Sequence, residues 1–407
     1  MRKVNFISIG AALVVFASVA TALRFGKLPL GIGELAVMFL FLWALRYKQA
    51  LRYLTHPIML FWVGFMVIAA VAALISPVKG GSSVHTAMAY VYTACFSLMA
   101  LACLEKATQE EFNSFIKALT VIPLALLVIP FLCLMTNSPR LAEWIGMNTL
   151  FPSRLSAWST NPNQLALFLL PIPIWAMAAC RESNWQGLRW LRNFLFFWML
   201  FTVGLSVRSD ALLLAWAISL PLLTIVALRW VKQANWKIFA TMLFAFLVAF
   251  GSFKLVIDAP GRQMLIGKSD SVLGVGFDEN KGGARKILWA HAAEAWMKSP
   301  IIGHGPGAFS YFDDPEVKQE AHNLGFDILT QTGIAGVLLM GALYLWLLFN
   351  AYRARDPYSL AVLVVLMVFS GAHFTLRQPV FSLYMIICAL AVKNGSFTTV
   401  REKPQPL

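Results

Sequence analysis

Long runs of apolar residues, each close to the length of a membrane-spanning helix, recur along almost the whole chain. A bilayer core about 30 Å thick needs about 20 apolar residues per helix. Twelve runs approach this length, and they lie near 6–23, 28–45, 57–76, 86–104, 115–135, 163–180, 190–206, 211–228, 236–256, 334–350, 358–374 and 378–392. The pattern predicts an all-α integral membrane protein with about twelve transmembrane helices.

Lys and Arg side chains collect in alternate loops between these runs. Short cytoplasmic loops of membrane proteins carry an excess of Lys and Arg. Two or three basic residues lie in each of the loops 46–56, 181–193, 229–237 and 351–357, and both termini are basic. With twelve spans all of these segments share one side of the membrane. We therefore predict that both termini are cytoplasmic.

The composition agrees with a lipid environment. Of the 407 residues 59% are hydrophobic and only 13% are charged, whereas soluble domains are about half apolar and one quarter charged. A net charge of +14 would suggest nucleic-acid binding in a soluble chain, but here the basic cytoplasmic loops account for it, so no nucleic-acid partner is expected. The five cysteines all lie in apolar runs and are interpreted as core thiols.

Two longer polar segments, 136–162 and 257–333, then face outward. They divide the chain into helices 1–9 at 1–256, a large outer loop region at 257–333, and helices 10–12 with a short cytoplasmic tail at 334–407. The basic N-terminus with Ala17–Ala20 also resembles a signal peptide and its cleavage site. Because so many spans follow, a separate signal is unnecessary, and we expect this segment to be retained as the first helix.

Four arginines stand at the predicted outer ends of helices or in the outer segments. They are Arg154, Arg208, Arg285 and Arg377. A guanidinium group offers planar, paired donors to phosphate oxygens, so such a set suits a diphosphate. The alternatives are that Arg208 reaches lipid headgroups or pairs with Asp210, and that Arg285 is a solvated loop cation.

Other polar residues of the outer segments also have more than one interpretation. His322, just before the tenth run, is either a proton acceptor near neutral pH or a hydrogen-bonded structural residue. The segment Asn161–Asn163 has the pattern of a helix N-cap. The glycine-rich segment Gly303–Gly307 favours a tight turn over a phosphate cradle, because it lacks the Lys-Ser/Thr ending of a P-loop. Asp313-Asp314 and Asp278-Glu279 favour solvated loops over a metal site, so no metal is expected.

An ordered set of motifs resembles the O-antigen ligase and polymerase superfamily. The motifs are Gly282–Arg285, Trp289, Ser299–Gly307, His322–Leu324, Leu329 and Thr332–Gly336. Arg154, the Asn161–Asn163 segment and Arg208 stand where this family has similar residues. Arg208 lies in Ser-Val-Arg-Ser-Asp where many members read Ser-Arg-Gly or Ser-Arg-Thr.

The resemblance implies transfer of O-antigen glycan from undecaprenyl diphosphate to a sugar hydroxyl of lipid A-core. The enzyme would lie in the bacterial inner membrane with its site on the periplasmic face, would invert the anomeric configuration, and would need neither ATP nor a cofactor. His322 would be the base, with Arg208 and Arg285 stabilising the leaving diphosphate. The residues implied for substrate binding are Arg154, Asn161, Asn163, Asn323 and Arg377.

Two members of the same superfamily and two other classes of protein are the alternatives. An O-antigen polymerase tends to have two large periplasmic loops, and a protein O-oligosaccharyltransferase tends to be longer, so one dominant outer segment favours the ligase. A lipid-linked glycan transporter or flippase would place charges near the bilayer midplane on broken helices. A membrane scaffold would leave the motif set without a role.

Overall fold

Helices make up the regular structure of the computed structural model. It describes residues 6–23, 31, 33–35, 37–38, 50–75, 81–148, 150, 154–180, 187–231, 236–257, 279–307 and 320–395. The helices are α1 (Phe6–Ala17), α2 (Pro57–Ile75), α3 (Gly81–Leu104), α4 (Gln109–Thr136), α5 (Pro139–Trp144), α6 (Pro162–Leu169), α7 (Ile172–Cys180), α8 (Gly187–Ser206), α9 (Asp210–Trp230), α10 (Trp236–Ile257), α11 (Glu279–Lys298), α12 (Leu324–Arg353), α13 (Pro357–Ser370) and α14 (Pro379–Asn394). A 3-10 helix spans Ala50–Thr55. This part of the chain contains no strand.

Every predicted run except the second overlaps described helix, and the sixth, 163–180, is divided between α6 and α7. The second run, 28–45, falls largely outside the described residues. Seven helical segments in the described ranges are long and apolar enough to cross a bilayer: Pro57–Ile75, Val84–Leu104, Gln109–Thr136, Pro162–Cys180, Asp210–Trp230, Trp236–Lys254 and Leu324–Arg353. Shorter apolar helices include Pro357–Ser370 and Pro379–Asn394. The all-helical, multi-span fold is therefore confirmed, whereas the count of twelve and the sidedness stay predictions.

The helices pack in pairs around a core rich in aromatic side chains. α9 lies against α13, α8 against α10, α1 against α4, and α2 against α12. Trp62, Trp175 and Trp216 are fully buried within this core. Apolar side chains such as Leu74 and Leu338 instead face outward, as is usual where helices contact lipid rather than water.

The two ends of the bundle hold the two sets of predicted loops. At one end the side-chain amide of Asn323, before α12, donates to the carbonyl of Gly371, after α13 (2.8 Å). At the other end Lys393 of α14 pairs with Glu105 after α3. Loops predicted on one side of the membrane thus contact one another, which agrees with the predicted sidedness without establishing it.

The structure begins α12 at Leu324 rather than at 334, the start given by hydropathy. The first turns contain Asp327, Thr330 and Gln331, whose polar side chains lower the local hydropathy although all three are buried. The predicted boundary falls at a break in the helix instead, because Gly333 has φ 62° and ψ −161°. Such a break separates carbonyls and N–H groups that an unbroken helix would join.

The glycine-rich segment 299–307 replaces the hydrogen bonds lost at this break. The N–H groups of His304 and Gly305 donate to the carbonyls of Thr330 and Gln331 (2.8 and 2.9 Å). In return the N–H groups of residues 334 and 335 donate to the carbonyls of residues 300 and 301 (2.9 and 3.1 Å). The backbone polar groups at the break are therefore satisfied inside the protein, as a bilayer requires.

Glycine is needed where the two segments meet. A Cβ on Gly303 would lie 2.5 Å from the carbonyl carbon of Gln331, and one on Gly333 would lie 2.3 Å from that of Ile301. Both glycines also have positive φ, which side-chain-bearing residues adopt only at a cost in free energy. The segment 299–307 thereby holds the broken turn of α12 around Gly333.

Candidate functional site

His322 lies in a short loop whose backbone is held by a buried carboxylate. Its φ of 52° is in the left-handed region, and its side chain is partly exposed. Asp327, in the first turn of α12, is fully buried. Its two carboxylate oxygens accept the N–H groups of Ala321 (3.0 Å) and Asn323 (3.1 Å). One side chain thus holds the residues on both sides of His322.

Asn323 caps α12 and ties the His322 loop to the next helix. Its side-chain oxygen accepts the N–H groups of Gly325 and Phe326 (2.9 and 3.2 Å), which satisfies two donors of the first turn. Its amide nitrogen donates to the carbonyl of Gly371 at the end of α13. The structure therefore gives Asn323, predicted to bind substrate, a structural role beside His322.

Arg377 pairs with Glu320, two residues before His322. Both terminal guanidinium nitrogens donate to the Glu320 carboxylate, one of them at 3.0 Å. The guanidinium group also lies over the ring of Phe374, 5.7 Å from its centre. This bidentate pair links the α13–α14 connection to the His322 loop, and it already balances the charge that Arg377 would offer to a phosphate.

Helix α11 packs on the other side of the same loop. The indole N–H of Trp289 donates to the carbonyl of Ala321 (3.0 Å), and its ring stacks on Phe326 with centres 5.8 Å apart. Arg285 lies one turn earlier in α11, and positions four apart share a helix face. The Arg285 backbone is therefore placed on the face that meets the His322 loop. The side chain of Arg285 is not among those that the structure describes, so its role stays a prediction.

A second group forms where the turn between α8 and α9 meets the start of α6. The Nε of Arg154 donates to the carbonyl of Val207 (3.1 Å), and its Nη2 donates to the side-chain oxygen of Asn163 (3.1 Å). Arg208, the next residue in that turn, has φ 51° and is partly exposed. Asn161 is the N-cap of α6, as its pattern predicts, and accepts the N–H of Asn163.

The two groups lie at the same end of the bundle, on neighbouring helices. Arg208 directly precedes the N-terminal end of α9, and Gly371, which accepts the Asn323 amide, follows α13. α9 and α13 pack against each other, and the ring of Trp230 at the end of α9 lies 5.5 Å from that of Tyr352 near the end of α12, so α9 and α12 both begin at the end of the bundle that holds the His322 loop. The structure thus brings Arg154, Asn163 and the Arg208 turn together, brings His322, Asn323 and Arg377 together, and connects the two groups through one helix pair.

The glycine-rich segment holds no phosphate cradle in this structure. The N–H groups of His304, Gly305 and Gly307 all donate to protein oxygens, Gly307 to the side chain of Gln331 (3.2 Å). His304 is buried, and its Nε2 contacts the carbonyl of Ala295 at 2.7 Å. The tight-turn interpretation is confirmed, and the turn serves the broken helix.

Hydrogen-bonding and charged side chains line the end of the bundle that holds His322 and Arg208. The described part of the chain contains no cluster of three His, Cys, Asp or Glu side chains that would hold a metal ion. Asp313-Asp314 and Asp278 fall outside the described residues. None of the five cysteines forms a disulfide; Cys133 and Cys388 are buried as core thiols, whereas Cys95 and Cys180 are half-buried and Cys103 is exposed, so the core interpretation is wrong for Cys103. An imidazole can accept a proton near neutral pH, and guanidinium groups can bind anions.

Sequence reasoning missed the residues that hold the loop. Asp327 is the clearest, and a signal for it exists, because a carboxylate inside an apolar helix is costly unless it has hydrogen-bond donors. Glu320 gave no such signal, since an acidic residue in an outer loop is ordinary. Tyr90 was also missed. Its hydroxyl donates to the side-chain oxygen of Gln331, which supports the broken turn of α12.

A comparison with models of known protein families finds a match in the region that contains His322 and Arg208. Residues 194–341 match the family model described as O-antigen ligase. The match covers less than half of the chain but includes Arg208, Arg285, His322 and Asp327, whereas Arg154, Asn161, Asn163 and Arg377 lie outside it. It supports the resemblance to the O-antigen ligase superfamily. No curated protein matches the chain.

Proposed function

We propose that this chain, with its O-antigen ligase match at 194–341, is a lipopolysaccharide O-antigen ligase. It would transfer O-antigen glycan from undecaprenyl diphosphate to a sugar hydroxyl of lipid A-core, at the periplasmic face of the bacterial inner membrane. The donor's diphosphate linkage supplies the free energy, so neither ATP nor a cofactor takes part.

The observation that carries this proposal is the pairing of a firmly held histidine loop with an arginine-bearing turn at one end of the bundle. His322 stands before α12 between residues fixed by Asp327, and Arg208 stands before α9 beside Arg154. Both residues lie inside the family match. A proton acceptor and an anion site near one membrane surface are what transfer from a lipid diphosphate needs.

The reaction follows from these roles. The acceptor hydroxyl oxygen forms a bond to the anomeric carbon, while the bond from that carbon to the diphosphate oxygen breaks. His322 takes the hydroxyl proton, a contribution typically worth about 10²–10⁴-fold in rate. Arg208 and Arg285, with Arg154, stabilise the charge that develops on the diphosphate. A single displacement of this kind inverts the anomeric configuration.

Arg377 has a smaller part in this scheme than its position in the sequence suggests. Its guanidinium group is bound by Glu320, so contact with a diphosphate would require the anion to compete with a carboxylate. We therefore assign the diphosphate to Arg208, Arg285 and Arg154 first. Arg377 then contributes by holding the His322 loop, alongside Asn323.

A transporter is the second candidate, because α12 is broken at Gly333 and broken helices are typical of transporters. In transporters the exposed backbone groups of the break bind the substrate or ion. Here those groups are bonded to the segment 299–307. The break therefore favours a structural role over an ion site, and the ligase remains the better proposal.

Expression in cells that lack their own ligase tests the proposal. Wild-type protein should restore O-antigen on the cell surface, while His322→Gly and Arg285→Lys should not, although both remain in the membrane. Glycine is the better substitution at His322 because it adopts the left-handed backbone without strain. Lysine keeps the charge of Arg285 but loses paired donation. Normal O-antigen display by the His322 variant would refute the assigned chemistry.

A further inference from the structure

We propose that Asp327 is a positioning residue that fixes the direction in which His322 presents its imidazole; this proposal rests on the catalytic role assigned to His322 above. Asp327 is fully buried, and each of its carboxylate oxygens accepts one backbone N–H from a neighbour of His322. It touches neither substrate in the proposed reaction, and it acts through the loop backbone.

The carboxylate is not needed to cap its own helix. Asn323 already accepts the N–H groups of Gly325 and Phe326 at the first turn of α12. A buried carboxylate is costly, and an acidic side chain bonded to backbone donors near a helix N-terminus is one of the few arrangements that offset this cost. Asp327 directs both oxygens backward, out of the helix, onto residues 321 and 323. Its hydrogen bonds therefore serve the loop.

The loop is also tied down at each residue around His322. The Ala321 carbonyl accepts the Trp289 indole N–H, the Asn323 amide reaches Gly371, and Glu320 pairs with Arg377. α11, α13 and the α13–α14 connection thus hold three different residues. Asp327 acts on both sides of His322 at once and, with φ at 52°, sets the direction of its Cα–Cβ bond.

Loss of this hold should reduce turnover more than binding. Displacement of a catalytic group by about 1 Å can cost about 10²-fold in rate. Asp327→Asn keeps the shape but turns an NH₂ group toward one of the two N–H donors, so one of the bonds is lost. We expect kcat to fall by about 10- to 100-fold, with KM for the lipid-linked donor nearly unchanged.

The test is a double-mutant cycle on the full-length protein in vesicles, with undecaprenyl-diphosphate glycan and lipid A-core as probes. Asp327→Asn is introduced into the wild type and into His322→Gly. Asp356→Asn is the control for removing a buried carboxylate at the other end of α12; Asp356 is also fully buried, but its Oδ1 accepts both backbone N–H groups, so the amide oxygen of asparagine can keep them. Thermal unfolding of each purified variant measures stability.

The proposal predicts that Asp327→Asn lowers kcat in the wild type and has almost no effect on the residual rate of His322→Gly. Equal loss in both backgrounds, or a loss no larger than that of Asp356→Asn, would overturn it. Full activity of His322→Gly would instead refute the proposed role of His322 itself. If Asp327→Asn does not fold, Trp289→Phe loosens the same loop by removing one hydrogen bond, and an unchanged kcat there would also count against the proposal.

Discussion

The two ends of α12 use the same structural devices for different purposes. Each end has a residue in the left-handed region, His322 with φ 52° and Arg355 with φ 50°, and each has a fully buried aspartate that accepts two backbone N–H groups. At the Arg355 end, Asp356 bonds to residues 358 and 359 of the helix it begins. At the His322 end, Asp327 bonds to residues outside its helix.

This difference supports the proposal that the chemistry takes place at the His322 end. The hydrogen bonds of Asp356 stabilise α13, an ordinary capping role. Those of Asp327 instead hold the two neighbours of a histidine, while Asn323 performs the capping. A fold that already has its cap gains little stability from a second buried carboxylate. The arrangement is therefore best explained by the orientation of His322.

The largest difference between the ends should appear when the left-handed residue is replaced by glycine. His322→Gly should lower the rate of glycan transfer by about 10²–10⁴-fold, because the proton acceptor is lost. Arg355→Gly, which makes the same backbone change at the other end, should transfer at nearly the wild-type rate. Initial rates with reconstituted protein measure both, and equal rates in the two variants would contradict the comparison.

Replacement of Arg208 should give the next largest loss of transfer rate. It also has a left-handed backbone, so Arg208→Asn, which tolerates that conformation, removes the charge with little strain. Transfer should fall by about 10²–10³-fold, because a group that stabilises the leaving diphosphate is lost. Rates with the lipid-linked donor in excess are the measurement. A variant with normal rates would remove Arg208 from the site.

The packing at the broken turn of α12 and the regular part of the helix should differ in their tolerance of alanine. Gly303→Ala would place a Cβ within 2.5 Å of the backbone of Gln331 at a positive φ, so we expect a loss of about 2–5 kcal/mol in unfolding free energy. Gly341→Ala in the regular part meets nothing within 4 Å and should be neutral or slightly stabilising. Thermal unfolding in detergent measures both. Equal stability of the two variants would show that the close packing at the break is not required.

Removal of the ion pairs Arg377–Glu320 and Lys393–Glu105 should give the smallest difference in transfer rate between the two ends. Glu320→Gln removes the charge partner of Arg377 beside the His322 loop, and partly exposed pairs contribute little, so transfer should fall by about fivefold at most. Glu105→Gln removes the partner of Lys393 at the opposite end and should leave transfer unchanged. The same assay compares them. A larger loss in the Glu105 variant would contradict the assignment of the active end.

The sequence predicted what depends on local pattern. Apolar length located most of the helices, although not α5 and α11, which lie in the predicted outer segments. The Asn161–Asn163 motif predicted an N-cap, and glycine content predicted the turn at 303–307. The starting residue of α12 was not predictable in the same way, because buried polar residues such as Asp327 and Gln331 resemble a loop in hydropathy.

What the sequence left open depends on packing between distant segments. The Arg377–Glu320 pair and the Arg154 bond to the Val207 carbonyl join residues more than fifty positions apart. The use of segment 299–307 to complete the broken helix also required the structure, since only the mutual approach of two backbones reveals it. For Asp327 the sequence showed that burying a carboxylate in an apolar helix costs free energy. Only the structure showed that its hydrogen bonds hold the backbone on both sides of His322.

The most direct test of the ligase assignment is the product formed by purified protein in vesicles with undecaprenyl-diphosphate O-antigen and lipid A-core, without ATP. We expect O-antigen joined to lipid A-core with inverted anomeric configuration, formed at a rate about 10²–10⁴-fold lower by His322→Gly. Longer lipid-linked chains without any ligated lipid A-core would identify a polymerase instead, and ligated product from the His322→Gly variant at the wild-type rate would contradict the proposed site.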